Sequence, residues 1–347
     1  MPKGAVTLLA MAVAMAGWSI PAAGRDARQE AAEYLTSEGF TSADLARLEA
    51  GEVLARASQG ASNEEILVAG AVKIRVSLDR VVSYYGQMIT YVDGQVTLGF
   101  GRFSSPPALA DVQGLAFDRG EVDALRTCRV GSCDIRLGGA SLAALRSAID
   151  WSQPGYVDEV NRFVRQAAVA YVADYQKRGD AALITYDDRS QAVSLEQQWQ
   201  SILAHAKQLH RYAPELGDYL GGYPSKNVPG ARDVFYWVKE NYGMKPVISL
   251  VHGVIYQPAE TLDRVHVVQK QLYASHYYDG SLAVGTVLGA VEDGAPVSYL
   301  LYGNRSRGDL LKGGFGGLMR GVARKQAQSA AEQTLGTIKQ VLEQSRR

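Results

Sequence analysis

The sequence has few cysteines: Cys128 and Cys133, in the stretch TCRVGSCD, are the only two among 347 residues. This scarcity excludes a disulfide-rich scaffold, and the spacing is not the C-x-x-C of thiol oxidoreductases. A zinc site would need further His or Cys ligands nearby, and the surrounding sequence offers none. Two thiols this close can form a small loop in an oxidising compartment, so we expect a disulfide between them.

The apolar run at the start of the sequence is too short for a membrane anchor. One charge, Lys3, precedes an apolar run from Ala5 to Trp18 and the small-residue stretch IPAAG. A spanning helix needs roughly 20 apolar residues, and polar sequence follows this run at once. The pattern is typical of a cleaved signal peptide over residues 1–24. No cysteine stands near the cleavage site to accept a lipid, so we expect a soluble mature chain in the periplasm or outside the cell.

Net charge is absent as well, with 36 basic and 36 acidic side chains. This balance gives no reason to expect a nucleic-acid partner. The exception is the tail from Arg305 to Arg347, which holds nine Lys or Arg and three acidic residues. Such a segment could contact anionic lipid headgroups, or it could be a solvated helix face whose charges are spread over many turns.

Local enzyme motifs are also missing. The chain contains no G-x-S-x-G elbow, no H-E-x-x-H and no dinucleotide-binding fingerprint. We therefore expect no cofactor and no metal. A catalytic triad built from distant residues leaves no local trace, so catalysis stays an open alternative.

What is present is the pattern of one α+β domain over residues 25–347, without a linker or internal repeat. A strand over residues 67–76 runs into a short amphipathic helix, and QVTLGFGRF alternates as a strand. A helical insertion is expected over about 138–245, with its last helix between Pro229 and Gly243. Four strands between 246 and 307 then form a meander, and a long amphipathic helix follows from about 309. Its apolar stripe needs a surface to cover, and the preceding sheet supplies one.

This order of elements resembles the START and polyketide-cyclase-like superfamily with its helix-grip fold, in which a curved antiparallel sheet wraps around the last helix. The likeness covers two stretches, residues 67–103 and 246–345. The segments GRFSSPP, KPVISLVH, KQLYASHYYD and YLLYGNRSRGD are also similar to a group of uncharacterised exported bacterial proteins. The superfamily resemblance implies binding, transfer or processing of hydrophobic molecules between sheet and helix. It implies no particular catalytic residues.

Polar and aromatic residues on the four strands are the candidate ligand contacts. Strand alternation places His252 and Tyr256 on one face, and a turn near residue 260 would bring His266 diagonally across from His252. These imidazoles could hydrogen-bond a ligand or be structural; a metal site is a weaker alternative because no carboxylate is interleaved with them. Tyrosine has an apolar ring with a polar tip, which suits an amphipathic ligand. The full set on the strands is His252, Tyr256, His266, Tyr273, His276 and Tyr299.

A glycine-rich segment, KGGFGG, lies where the last helix is predicted to begin. Each glycine weakens a helical turn by roughly 1 kcal/mol relative to alanine, so either the helix starts later or the segment moves. Our functional hypothesis is a hinged flap over the pocket, with Phe315, Leu318 and Met319 as apolar contacts; a plain surface loop is the alternative.

Three functions follow from these observations. The first is an exported protein that binds or carries a hydrophobic or amphipathic, lipid-like molecule between sheet and helix. The second is a hydrolase or cyclase-like enzyme that uses the His and Tyr side chains in the same pocket. The third is an envelope scaffold that docks through its basic last helix.

Overall fold

The computed structural model describes residues 26–88, 96–241, 243–308, 311 and 316–344, with the backbone alone for residues 87, 88 and 316–318. Its helices are α1 (Ala27–Ser37), α2 (Ser42–Glu49), α3 (Leu78–Met88), α4 (Arg119–Thr127), α5 (Gly139–Ala148), α6 (Tyr156–Arg178), α7 (Leu195–Ala204), α8 (Lys207–Tyr212), α9 (Pro214–Gly222) and α10 (Gly316–Gln344). Its strands are β1 (Leu54–Gln59), β2 (Glu65–Ile74), β3 (Thr97–Arg102), β4 (Thr185–Tyr186), β5 (Val193–Ser194), β6 (Ala231–Glu240), β7 (Val247–Tyr256), β8 (Arg264–Ala274), β9 (Tyr278–Glu292) and β10 (Ala295–Gly308). Short 3₁₀ turns lie at Leu109–Val112 and Gly179–Ala182.

Eight strands form one antiparallel sheet in the order β1-β2-β10-β9-β8-β7-β6-β3. The meander from β7 to β10 makes its centre, as the sequence predicts. The early strands extend the sheet at both ends. β2 pairs with β10 at one end, and at the other end β6 pairs with β7 and β3 pairs with β6. The sheet is curved but not closed, and the chain is α+β with a long C-terminal helix, so the predicted fold class is confirmed.

Helices cover both faces of this sheet. On what we call the terminal-helix face, α10 and α3 pack on alternate strand residues; this core includes Val72, Val267, Val287, Leu300, Leu335 and Ile338. The residues between them point to the opposite face, where α1 and α6 to α9 pack; its cores include Ala71, Val254, Val268, Val284, Leu288 and Leu301. The alternation of strand side chains thus divides the interior into two separate layers.

The predicted helix between Pro229 and Gly243 is wrong, because this segment is strand β6. Val234 and Tyr236 pack with Val251 on the terminal-helix face, and Phe235 and Trp237 pack into the opposite core. A strand buried on both faces has a continuous apolar run, which can also be read as a helical stripe. Within the predicted insertion, the helices therefore end at α9.

The closing helix packs mainly through its second half. Buried Ala331, Leu335, Ile338 and Leu342 lie on the stripe that faces the sheet, whereas Val322, which we expected there, is 45% exposed. The helix begins at Gly316 rather than near residue 309. Residues 309, 310 and 312–315 lie outside the described residues.

The predicted disulfide between Cys128 and Cys133 is present. The small loop is anchored to the neighbouring chain, because Gly131 N–H donates to Asp187 O at 2.7 Å and Cys133 N–H donates to Asp188 O at 3.0 Å. Gly131 has a φ of 80°, a conformation that glycine adopts without strain. The predicted signal peptide, residues 1–24, lies outside the described residues.

Candidate ligand-binding site

A cavity of about 60 Å³ lies on the terminal-helix face, between the sheet, α3 and α10. Its walls are mostly apolar, with a few polar groups among them. The lining residues are Tyr85, Val267, Gln269, Ala283, Gly285, Tyr302, Ala331, Thr334, Leu335 and Ile338. The cavity therefore lies in the layer where the sequence predicts a ligand, under the terminal helix.

Small residues on the central strands make the room for this cavity. Gly285 of β9 lies directly between Tyr302 of β10 and Val267 of β8 in the sheet register. Because it has no side chain, it leaves a gap between two larger neighbours. A Cβ added at Gly285 would meet Val267 O at 3.7 Å and Leu300 Cδ1 at 3.8 Å, which are ordinary contacts. The gap is thus a consequence of the residue type and not of a tight backbone approach.

The polar groups at the cavity suit a hydrogen-bonding ligand rather than a reaction. Burial raises the pKa of Tyr85 and of Tyr302 well above the usual phenol value, so both hydroxyls stay protonated at neutral pH. Gln269 adds a neutral amide at the same wall, and Thr334 lies at the exposed rim. Together these groups offer uncharged donors and acceptors around an apolar space.

The size of the cavity limits what it holds in this conformation. One water needs roughly 10–15 Å³ of such space, whereas pockets that enclose drug-sized ligands measure roughly 300 Å³ or more. A cavity of about 60 Å³ therefore has room for a few atoms, such as the end of a chain. A larger ligand requires α10 or α3 to move away from the sheet.

The strand residues predicted as ligand contacts do not line this cavity. His252 pairs with Lys270, and Tyr256 pairs with His266, on the face that packs against α6 to α9. Tyr299 also lies on the opposite face, in the core under α1. The expectation of one pocket shared by these side chains and the terminal helix is therefore wrong, because the sheet separates them.

His252 and His266 are not diagonal neighbours. His266 stands opposite Tyr256, four residues along β7 from His252, which corresponds to about 13 Å along the strand. The pairing of Tyr256 with His266 centres the turn at residue 261, one residue beyond the predicted centre, and this shifts the register by two residues. At this separation the two imidazoles cannot both hydrogen-bond one small polar group of a ligand.

His252 belongs to a polar cluster that the sequence did not reveal; His252 is buried, whereas Asp233 is exposed. Its Nε2 lies 2.7 Å from Asp233 Oδ1, and its Nδ1 lies 3.3 Å from the Tyr175 hydroxyl. Tyr219 also donates to Asp233, at 2.7 and 2.8 Å. Burial lowers the pKa of His252, with the Asp233 carboxylate opposing it only in part, so the neutral ring donates from Nε2 and accepts at Nδ1. Both ring nitrogens are engaged, which is the arrangement of a structural histidine.

Lys270 stands beside His252 in the sheet and is fully buried. Its ammonium pairs with Asp180 and lies 4.3 Å from the centre of the Trp199 ring. Burial lowers the pKa of Lys270 to about 8, although the Asp180 carboxylate opposes this shift. The only sequence signal for this ion pair is a lysine within an apolar strand; Asp180 lies 90 residues away in the chain.

The other predicted contacts also have protein partners. Tyr256 donates to Glu215 at 2.6 Å, Tyr273 donates to Arg136 O at 2.9 Å, and Tyr299 donates to Glu292 at 2.7 Å. His266 contacts Thr286 through Nδ1, and His276 contacts Ser275. These partners account for the hydroxyls of the three tyrosines without a ligand, whereas Nε2 of His266 and of His276 has no hydrogen-bond partner within the described chain.

The proposed flap residues are described only in part. Phe315 lies outside the described residues, and of Leu318 only the backbone is described. Met319 is partly buried in the first turn of α10. The hypothesis of a hinged flap thus stays a prediction.

Comparison with known proteins adds no assignment: no family model matches the chain, and neither does any curated protein. Among the described residues, no group of three or more His, Cys, Asp or Glu is arranged to hold a metal ion. In the same part of the chain, none of the helices has both the length and the apolar character needed to cross a bilayer.

Proposed function

We propose that this chain is an exported binding or carrier protein for a small hydrophobic or amphipathic molecule, held between the sheet and α10. The observation that supports it best is the apolar cavity under α10, with Tyr85, Tyr302 and Gln269 as hydrogen-bonding groups at its wall. Apolar walls with a few placed polar groups are the usual composition of small-molecule sites. The disulfide is consistent with export, because such bonds persist in oxidising compartments.

The enzymatic alternative has less support. Its His and Tyr side chains lie across the sheet from the cavity, and the ones with described contacts are engaged by other protein groups. A substrate in the cavity under α10 would not reach them. Binding without chemistry is therefore the function that this arrangement favours.

Two measurements on the full mature chain test the proposal. Purified protein is extracted with organic solvent and the extract is analysed by mass spectrometry, and the emptied protein is titrated with an environment-sensitive apolar fluorophore. We expect a co-purified apolar compound, or saturable binding of the fluorophore at one site. An empty extract together with no saturable binding would reject the function.

A variant locates the binding. Ala283→Phe places a ring in the cavity, so it should weaken fluorophore binding by tenfold or more. The matched control is Ala290→Phe, on the same strand but away from the cavity, where Ala290 is partly buried. Equal loss in both variants would show that the fluorophore does not bind at the cavity.

A further inference from the structure

The stripe of α10 that faces the sheet changes character along the helix. In the second half it consists of Ala331, Leu335, Ile338 and Leu342, all buried. Towards the N-terminus of the helix, the same stripe continues through Ala327, Arg324 and Arg320, which follow one another at intervals of three or four residues. Residues at this spacing share one side of a helix. Two arginines therefore occupy positions of the stripe that lines the cavity further along.

These arginines are partly buried and have no carboxylate partner among the residues that the structure describes. Arg320 donates to Leu311 O at 3.1 Å, and Arg324 donates to Arg320 O at 3.3 Å. Backbone carbonyls satisfy some of their N–H groups but do not neutralise the two charges. A guanidinium has five donors in a planar fork that matches carboxylate and phosphate groups.

Other basic residues of the C-terminal tail are already neutralised. Arg305 pairs with Glu65, Arg307 pairs with Glu64 at 3.3 Å, and Lys339 pairs with Glu343 at 3.5 Å. Of the nine basic residues counted from Arg305 onward, the structure thus leaves Arg320, Arg324 and the exposed Lys325 without an ion pair in its described part. Only the two arginines lie on the sheet-facing stripe.

We propose that the ligand is an anionic amphiphile, with the end of its apolar chain in the cavity under α10 and its carboxylate or phosphate head bound by Arg324 and Arg320. Helix rise places Arg324 about 10 Å from Ala331 and Arg320 about 22 Å from Leu335 along the axis. This span is comparable to the length of an acyl chain. The inference rests on the proposed binding function and specifies its ligand class.

The test uses four probes with the same alkyl chain and different heads: dodecanoate, dodecyl phosphate, dodecanol and dodecylamine. Each is titrated below its micelle concentration into the full mature protein, by displacement of the apolar fluorophore. The wild type should bind both anions at least about tenfold more tightly than dodecanol, because charge-assisted hydrogen bonds are stronger than neutral ones. Dodecylamine should bind more weakly than the alcohol. The two anionic probes also show whether carboxylate or phosphate is preferred.

Variants connect the preference to the arginines. R320Q/R324Q should reduce anion binding to the level of dodecanol and leave dodecanol binding unchanged, whereas R320K/R324K should keep part of the preference. Lys325→Gln, which removes a charge from the exposed side of the same helix, should keep all of it. If the double Gln variant is unstable in a thermal melt, Arg324→Gln alone should show a partial loss.

Two results would overturn the inference, and they differ in what they leave standing. If anions and alcohol bind the wild type equally, or if R320Q/R324Q keeps the preference, the head-group assignment is wrong and the binding function remains. If none of the four probes binds the wild type, the binding function itself fails, and the ligand class fails with it.

Discussion

His266 is a buried residue whose titration opposes folding. It is fully buried, its Nδ1 contacts Thr286 Oγ1 at 3.1 Å, and its Nε2 has no hydrogen-bond partner within the described chain. Burial, aided by the nearby charge of Arg264, lowers the pKa of His266 to about 4. The neutral ring is therefore the folded form, and protonation would place an uncompensated charge in the core.

This pKa shift predicts a loss of stability in acid. The reference pKa of histidine is about 6.5, so the unfolded chain binds the proton first as the pH falls. The resulting loss of stability is negligible above pH 6.5, grows as the pH falls from about 6.5 to 4, and reaches about 3 kcal/mol. His266→Gln keeps a polar partner for Thr286 and does not titrate. The difference in free energy of unfolding between wild type and variant, from urea titrations at pH 7 and 4.5, should shift in favour of the variant at the lower pH.

The exposed His205 provides the control for this measurement. His205→Gln makes the same substitution at the surface and is measured at the same two pH values. If His266→Gln and His205→Gln show the same pH dependence, burial of His266 does not govern acid stability.

Substitutions at Gly285 test whether this position needs the space of the cavity or the backbone freedom of glycine. A methyl group fits there at ordinary contact distances, and glycine within a strand costs about 0.5–1 kcal/mol relative to alanine. Gly285→Ala should therefore keep or slightly raise the melting temperature and retain binding of the apolar fluorophore. Gly285→Leu should fill the cavity and weaken binding by tenfold or more, as measured by fluorescence titration. Equal affinity in both variants would mean that the ligand lies elsewhere.

At the scale of single residues, the sequence predicts which face of the sheet a side chain points to better than it predicts which residues that side chain contacts. Alternation correctly placed His252 and Tyr256 on one face, since both point away from α10. It did not fix register, because a hairpin with a seven-residue connection can pair its strands at several offsets. Nor could it reveal Tyr175 of α6, which contacts His252, or Asp180 of the following 3₁₀ turn, which pairs with Lys270.

Among the elements, α10 has two halves with different energetic roles. Leu335 and Ile338 are 1% and 4% exposed and pack on the sheet, whereas Val322 is 45% exposed. Leu335→Ala and Ile338→Ala should each lower the free energy of unfolding by about 2–4 kcal/mol, because each removes buried methyl groups and enlarges a cavity. Val322→Ala should change it by no more than about 0.5 kcal/mol. Chemical denaturation of the three variants measures the contrast, and a comparable loss in Val322→Ala would show that the first half is also packed.

The long terminal helix was predictable and β6 was not, for one physical reason. The stripe of α10 repeats over many turns, so its period is distinct. β6 has ten residues and buries side chains on both faces, so its apolar run has no clear period of two. The partners that decide its structure, β3 and β7, are supplied by other parts of the chain.

At the scale of the whole molecule, the sheet divides two interiors with different chemistry. The opposite face holds ion pairs and polar contacts of fully buried side chains, including Lys270 with Asp180 and His252 with Asp233 and Tyr175. The terminal-helix face holds an apolar cavity with neutral polar groups. The sequence could predict an α+β fold with helices on its sheet. It could not predict which layer would be hollow, because that depends on how residues distant in the chain fill each side.

This division predicts that stability and binding respond to different substitutions. Tyr175→Phe removes the hydroxyl that contacts His252 Nδ1 and leaves a buried nitrogen without its donor, so it should lower the free energy of unfolding by about 1–2 kcal/mol. Because Tyr175 lies across the sheet from the cavity, fluorophore affinity should stay within about twofold of wild type. Gly285→Leu should show the reverse pattern, with weakened binding and a smaller loss of stability. Urea denaturation and fluorescence titration of both variants measure the two quantities, and a Tyr175→Phe variant that folds normally but loses binding would show that the ligand uses the opposite face.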